Sequence, residues 1–406
     1  MEFIFDNLIS PSPVMKISAI LFLSLSLIFN HETVLAQTGD NASRFPEIRI
    51  YIPKSHYNNL LQSKGQKVEL KKPVFIINGD TAVVKEAHSR GNNSLTFERK
   101  SLSVDLENSF TIGKGEKKIK IRKFDLLNLV MDKNLWHNRW AFLNMARLDI
   151  FPLINVFCTL WINDQPQGIY LLVEKPHYYS SGKGKSPYMI RRGLDHKISD
   201  EYIDTPSKEE SKKYKNQYIN LYEDLEKYKG VELYGHLKTK INLDHYFDWL
   251  AFNYLIMNGD YEDELYVYIV PGSGLFDVIP WDYDDILRAA PHEGLQARNA
   301  VSGFKNKLIF SSEDLLDRAI AADDFVYAQY LSRFKKLLTD LSVESFSKIS
   351  DQVRDELQSV AQNQKAANAS LFLGKEPFQI EQAIIEIQNS LNFIIQRRNA
   401  LLTDMK

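Results

Sequence analysis

The most constraining stretch of this chain is an apolar hairpin held between two acidic ends. Asn258-Gly259-Asp260-Tyr261-Glu262-Asp263-Glu264 leads into the run Leu265 to Val270. Pro271-Gly272-Ser273-Gly274 separates it from a second short run, Leu275 to Ile279, which ends in Pro280-Trp281-Asp282-Tyr283-Asp284-Asp285. β-Branched and aromatic residues on either side of a Pro/Gly cluster read as strand, tight turn, strand. Such a hairpin sets the residues before its first strand beside those after its second, so Asp260 and Asp282 should face each other at one end. Clustered carboxylates on a rigid hairpin suit a hard cation such as Mg²⁺, which takes oxygen ligands and leaves room for phosphates. A solvated acidic rim on an ordinary hairpin accounts for the spacing equally well.

The 406 residues suffice for one large domain or two smaller ones. The net charge of −2 gives no argument for a nucleic-acid partner. The single cysteine, Cys158, lies in the apolar run Val156 to Leu160 and reads as a buried, inert thiol. It has no internal disulfide partner, and no Cys/His cluster has zinc spacing.

Met15-Lys16 precedes a largely apolar run, Ile17 to Phe29, and Val34-Leu35-Ala36-Gln37 follows. A short positive region, a hydrophobic core and a small-residue cleavage site together read as a secretory signal over residues 1–36, with Met15 as the expected true start. The run is too short to span a membrane comfortably, so no stable membrane span is expected after cleavage. An exported protein with one cysteine points to a bacterial periplasm, cell surface or secreted location.

Residues 37–46 read as a polar linker, and 47–178 as a β-rich region. Glu47 to Ile52 alternates as a half-buried strand does. Asn78-Gly79-Asp80 between two short apolar runs is a strong hairpin signal. The small-residue loop Ser89 to Ser94 carries exposed amides that can cradle an anion, and Lys100 stands at the entrance of the strand that follows. Asp132 is a candidate N-cap for a helix over Lys133 to Leu148. Phe151 to Ile162 and Ile169 to Glu174 flank a turn at Asn163-Asp164. Residues 179–217, rich in Gly, Lys and Ser, read as a flexible connection and a candidate lid. Residues 218–406 read as mostly helical, with the acidic hairpin 258–285 inside them. The fold class is therefore α+β, a β-rich half followed by a helical half.

These stretches resemble the CotH kinase family, spore-coat-type proteins with an atypical protein-kinase-like fold. The resemblance rests on Arg90-Gly91-Asn92 with Ser94 and Lys100-Ser101, on Asn163 with Gly168-Ile169-Tyr170 and Glu174, on Gly259-Asp260, and on Pro280 to Asp284. It implies two lobes, a β-rich N-terminal one and a mostly helical C-terminal one. It also implies ATP with Mg²⁺ or Mn²⁺ between them, and transfer of the γ-phosphoryl group to serine hydroxyls of an acceptor protein. Carried over, Lys100 resembles the phosphate-binding lysine, Asp260 the catalytic aspartate and Asp282 the metal-binding one. Arg90 and Gly91 belong to the loop at the nucleotide, with Arg90 holding it in shape, and Glu174 stands near the hinge. The family's second metal ligand, an asparagine five residues after the catalytic aspartate, is Leu265 here, so Asp263, Glu264 or Asp284 would have to substitute. Lys133 to Leu148 contains no glutamate to pair with the lysine, which leaves Glu174 as the candidate partner. Two other readings stay open: a kinase-like binding module that no longer catalyses, and a cell-wall or carbohydrate-binding protein using its aromatic residues.

Overall fold

The computed structural model describes residues 45–112, 118–182, 184–205, 207–373 and 375–405. The signal segment and nearly all of the linker lie outside them. The chain is a mixed α+β protein, and its described residues form two sheets. The strands are β1 (Glu47–Tyr51), β2 (Val74–Ile77), β3 (Asp80–Ala82), β4 (Val84–Arg90), β5 (Ser101–Ile112), β6 (Ile119–Leu127), β7 (Asn155–Ile162), β8 (Gln165–Glu174), β9 (Tyr188–Arg192), β10 (Ile198–Ile203), β11 (Leu265–Ile269) and β12 (Phe276–Pro280). The first eight form one sheet in the order β3-β2-β1-β7-β8-β6-β5-β4, antiparallel except where β1 runs parallel to β7. The other four form a sheet in the order β10-β9-β11-β12.

The tight turns follow from their residues. Asn78 and Gly79 both take positive φ between β2 and β3, and Asn163 and Asp164 do so between β7 and β8. Two left-handed residues are what a two-residue hairpin needs to match the twist of its strands.

Strand alternation divides the molecule between two cores. In β8, Tyr170 and Leu172 join one apolar cluster, while Ile169, Leu171 and Val173 join the other. In β7, Val156, Cys158, Leu160 and Ile162 face the first, and Phe157 faces the second. These strands are largely apolar because both faces are buried. The first cluster lies against the helix Lys54–Gln62 through Leu60. The second is built with the helices His137–Arg147, Leu243–Ile256, Asp324–Asp340, Val343–Ala361 and Ile380–Asp404. Burial pushes the Cys158 thiol up, as expected of an inert cysteine. All five tryptophans are buried. Among the described residues, no helix is long and apolar enough to cross a membrane.

Two sequence readings are corrected. The helix expected from Lys133 begins at His137, after a 3-10 turn, and buried Asp132 caps it by accepting the His137 and Asn138 amides at 2.8 Å each. The stretch 179–217 is not a loose connection, since it carries β9, β10 and the start of the helix Lys208–Glu223. β9 pairs with β11, so the inserted hairpin is part of the second sheet.

One buried ion pair ties the large sheet to the helices. The Arg139 guanidinium donates to both oxygens of Glu356, at 2.8 and 2.9 Å, and also to the Asn155 carbonyl on β7. Removing one member of such a pair strands a buried charge. Glu356→Ala should cost about 3–5 kcal/mol, read by urea denaturation. The double change Arg139→Met with Glu356→Leu should cost clearly less.

Candidate functional site

A cleft of about 890 Å³ lies where the polar face of β4, β5 and β6 meets the acidic hairpin of the second sheet. Both walls follow from the strand period of two.

On the hairpin side, Leu265 pairs with Pro280, and the Trp281 amide donates to the Glu264 carbonyl at 2.8 Å. The two acidic ends therefore meet, as the sequence predicts. The helix Leu243–Ile256 ends at Met257, a left-handed residue. Buried Asn258 then turns the chain by bonding back to Asn253 and accepting the Asp260 amide. Gly259 is required by close approach, since a Cβ there would lie 2.4 Å from the Asp285 carboxylate. Asp282 itself has φ +42°, a left-handed conformation that aspartate tolerates. The capped helix at His137 holds this loop from the other side: the Tyr283 amide donates to Asn138 Oδ1, and His137 Nδ1 lies 3.1 Å from the Asp284 carbonyl.

Asp260, Asp263, Glu264, Asp282, Asp284 and Asp285 all line the cleft on this side. Burial, then Asp263, pushes the Asp260 carboxyl up from its ordinary range. Burial does the same to Asp282, and burial with Asp282 to Asp284. Glu264 is raised by burial and by Asp282, Asp263 and Asp260, against the opposing pull of Arg191. Acids that raise one another in this way are short of positive charge. Leu265 is fully buried and shares its face with Val267 and Ile269, so it belongs to the core. Glu264 and Tyr266, on the alternate face, line the cleft.

Two adjacent arginines of β9 grip this loop from opposite faces. Arg191 pairs with Glu264 at 2.6 Å on the cleft side. Arg192, buried, donates to the Glu262 carbonyl at 2.7 Å and pairs with Asp314 at 3.3 Å. Glu262 sits among these acids and is pushed up to about 7, first by burial and then by Asp314.

On the large-sheet side, Leu102, Val104 and Leu106 of β5 and Phe124 and Leu126 of β6 face the core, and the residues between them face the cleft. These are Ser103, Asp105, Lys123 and Asp125. Lys123 pairs with Asp105 at 3.2 Å, and Arg90 with Asp125 at 3.2 Å. The Arg90 guanidinium also lies 5.7 Å from the Trp281 ring, which joins the two walls. Gly91 turns the loop with φ +99°, where a Cβ would collide with Ser94 Oγ. Lys175 and His177 close one end, and His177 stacks on Tyr202 at 4.8 Å. Burial lowers His177 to about 4, so its ring is neutral at pH 7.

Seven of the predicted site residues meet in this cleft: Arg90, Gly91, Asp260, Asp263, Asp282 and Asp284 line it, and Glu264 joins them from among the candidate substitutes. Lys100 and Glu174 are not among the described lining residues. Lys100 shares the face of Leu102 and Val104, and its ammonium donates to the carbonyls of Ser63 and Leu95. Glu174 shares the face of Tyr170 and Leu172; it is fully buried and accepts the Ile154 amide at 3.3 Å. Lys123, Lys175, Asp105, Asp125 and Arg191 were missed by the sequence reading. The polar–apolar alternation Lys123-Phe124-Asp125-Leu126 was the available signal for two of them.

The oxygen donors suit Mg²⁺ or Mn²⁺ in kind. Among the described residues, no three potential ligands are already drawn together around one point. The carboxylates form an open acidic wall of the cleft.

Leu265→Asn should destabilise the fold by about 2–5 kcal/mol, because it opens a core cavity and buries an amide, and should leave affinity for Mn²⁺ unchanged. Denaturant unfolding and Mn²⁺ titration read the two effects. Glu262 has a folded pKa of about 7 against an ordinary 4.5. Its stabilising contribution is full below pH ~4.5 and is lost as pH rises through about 7. Glu262→Gln should flatten the stability profile across that window and raise Tm at pH 8.

A family model described as CotH kinase protein matches residues 87–401. No curated protein matches the chain. Among solved structures, a Helicobacter pylori proinflammatory kinase, CtkA, aligns over 75% of this chain and 94% of that one, at 11% identity and a TM-score of 0.34. The family model covers well over half of the sequence, from the strand before the Arg90 loop to the last helix, and the chain belongs to the CotH kinase family.

Proposed function

We propose that this protein is an exported, ATP-dependent phosphotransferase that phosphorylates hydroxyl groups, serine foremost, on an acceptor protein. The observation that carries this reading is the charge division of the cleft. One wall carries the cations Arg90, Lys123 and Lys175 among Asp105, Asp125 and Glu86; the other is acidic, with Asp260, Asp263, Glu264, Asp282 and Asp284 against Arg191. A polyphosphate with a divalent cation is complementary to both walls at once. In this reading the walls belong to the two lobes of a kinase-like fold.

ATP with Mg²⁺ or Mn²⁺, when bound, supplies the γ-phosphoryl group and neutralises the charge on it. Asp282 would hold the metal, with Glu264, Asp263 and Asp284 as neighbouring oxygen donors. Asp260 orients the acceptor hydroxyl and takes its proton. Its raised pKa suits that part, because a base nearer the working pH both accepts and releases a proton readily. Arg90 and the Gly91 loop keep the phosphates against the large-sheet wall. Export rests on the N-terminal signal pattern, and the acceptor is a protein of the same exported compartment.

A second reading is a kinase-like binding module. It draws on the open spacing of the acidic wall, in which no three described ligands are gathered.

The test is transfer of label from γ-labelled ATP, with Mg²⁺ or Mn²⁺, to protein acceptors or to the chain itself. Asp260→Asn should lower the rate by about 10²–10⁴-fold with nucleotide binding retained. Asp282→Asn should remove the metal-dependent part of ATP binding. Wild-type rates in both variants would overturn the kinase reading, and metal-dependent ATP binding without any transfer would favour the binding module.

A further inference from the structure

Lys100 is engaged as a strut by two backbone carbonyls. It ties Leu95, at the end of the cleft loop, to Ser63, and the Gly65 amide reinforces the same junction by donating to the Leu95 carbonyl. Its strand face points to the core, so a phosphate in the cleft would need another cation.

Lys123 meets the requirements. It stands on β6, directly opposite Asp105 of β5 in the strand register, and their side chains pair at 3.2 Å on the cleft face. Lys175 follows β8, and its amide donates to the Lys123 carbonyl at 3.1 Å, which places the two lysines side by side at the cleft wall. Arg90, Lys123 and Lys175 stand among Asp105, Asp125 and Glu86 on this wall, so the cations here are balanced within the wall rather than neutralised from the acidic hairpin. In protein kinases a helix glutamate sets the phosphate-binding lysine. The helix His137–Arg147 contains no acid at all, and the neighbouring strand supplies Asp105 instead.

We infer that Lys123, with Lys175 beside it, is the seat for the nucleotide's β- and γ-phosphates, that Asp105 is the positioning residue that aims Lys123, and that Lys100 acts only by bracing the cleft loop. This rests on the nucleotide-binding reading above. A strand lysine oriented by a buried carboxylate, with a second lysine bonded to its backbone, keeps its charge at a fixed place, whereas a free surface lysine would spend affinity on ordering itself.

The test measures ATP and AMP affinity of the full chain in the presence of Mn²⁺ by calorimetric titration, with Tm recorded for each variant. Lys123→Met should weaken ATP at least about tenfold, the worth of one charge-assisted hydrogen bond, and leave AMP nearly unchanged. Lys123→Arg should restore part of the loss. Asp105→Asn should weaken ATP less than Lys123→Met does and add little on top of it. Lys100→Met should lower Tm while the folded protein keeps its ATP affinity within a few-fold. Wild-type ATP affinity in Lys123→Met, or loss of ATP affinity in folded Lys100→Met, would overturn the inference and leave the nucleotide site standing. Absence of ATP binding by the wild-type chain would overturn both.

Discussion

A β-strand has two faces, and in this protein nearly every functional assignment depends on which face a residue occupies. β5 and β6 give one face to an apolar core built from Leu102, Val104, Leu106, Phe124 and Leu126. Their other face carries Asp105, Lys123 and Asp125 into the cleft. The hairpin β11–β12 does the same, with Leu265 in the core and Glu264 and Tyr266 at the cleft. Since a slip of one residue would exchange core for cleft along a whole strand, the cores fix the register, and the register fixes the site.

Such a site is costly to hold together. Carboxylates partly withdrawn from water raise one another's pKa, and the fold offsets this with arginines rather than by spreading the acids apart. Arg191 stands against Glu264 and Arg192 against Asp314 and the Glu262 carbonyl, so one strand braces the acidic loop from both sides. Asp132, with Asn138 and His137 beyond it, braces the loop after the hairpin. The remaining acidic excess around Asp282 and Asp284 is what a cation would relieve, and Arg90, Lys123 and Lys175 line the same cleft.

The hairpin was legible in the sequence because its turn and its alternation agree, and Gly259 and Asp260 could be placed by that agreement. The small-residue loop at Gly91 was legible for the same kind of reason: only glycine fits there. Lys100 misled because proximity along the chain to that loop says nothing of the face it shares with Leu102. Glu174 misled likewise, being on the face of Tyr170 and Leu172. Leu265 looked like a lost ligand, whereas the cleft-facing position is one residue earlier. The region 179–217 looked loose because Gly, Lys and Ser are frequent in it. It is ordered through Arg191 and Arg192, whose partners Glu262, Glu264 and Asp314 lie 70 or more residues away, which no local pattern reveals.

The most direct measurement is a diffraction experiment on crystals soaked with Mn²⁺ and a non-hydrolysable ATP analogue, with data collected at the manganese edge. An anomalous peak in bonding contact with the Asp282 carboxylate, and phosphates spanning from it towards Arg90 and Lys123, is the result this account predicts. An ordered nucleotide bound elsewhere, or manganese held without Asp282, would contradict it.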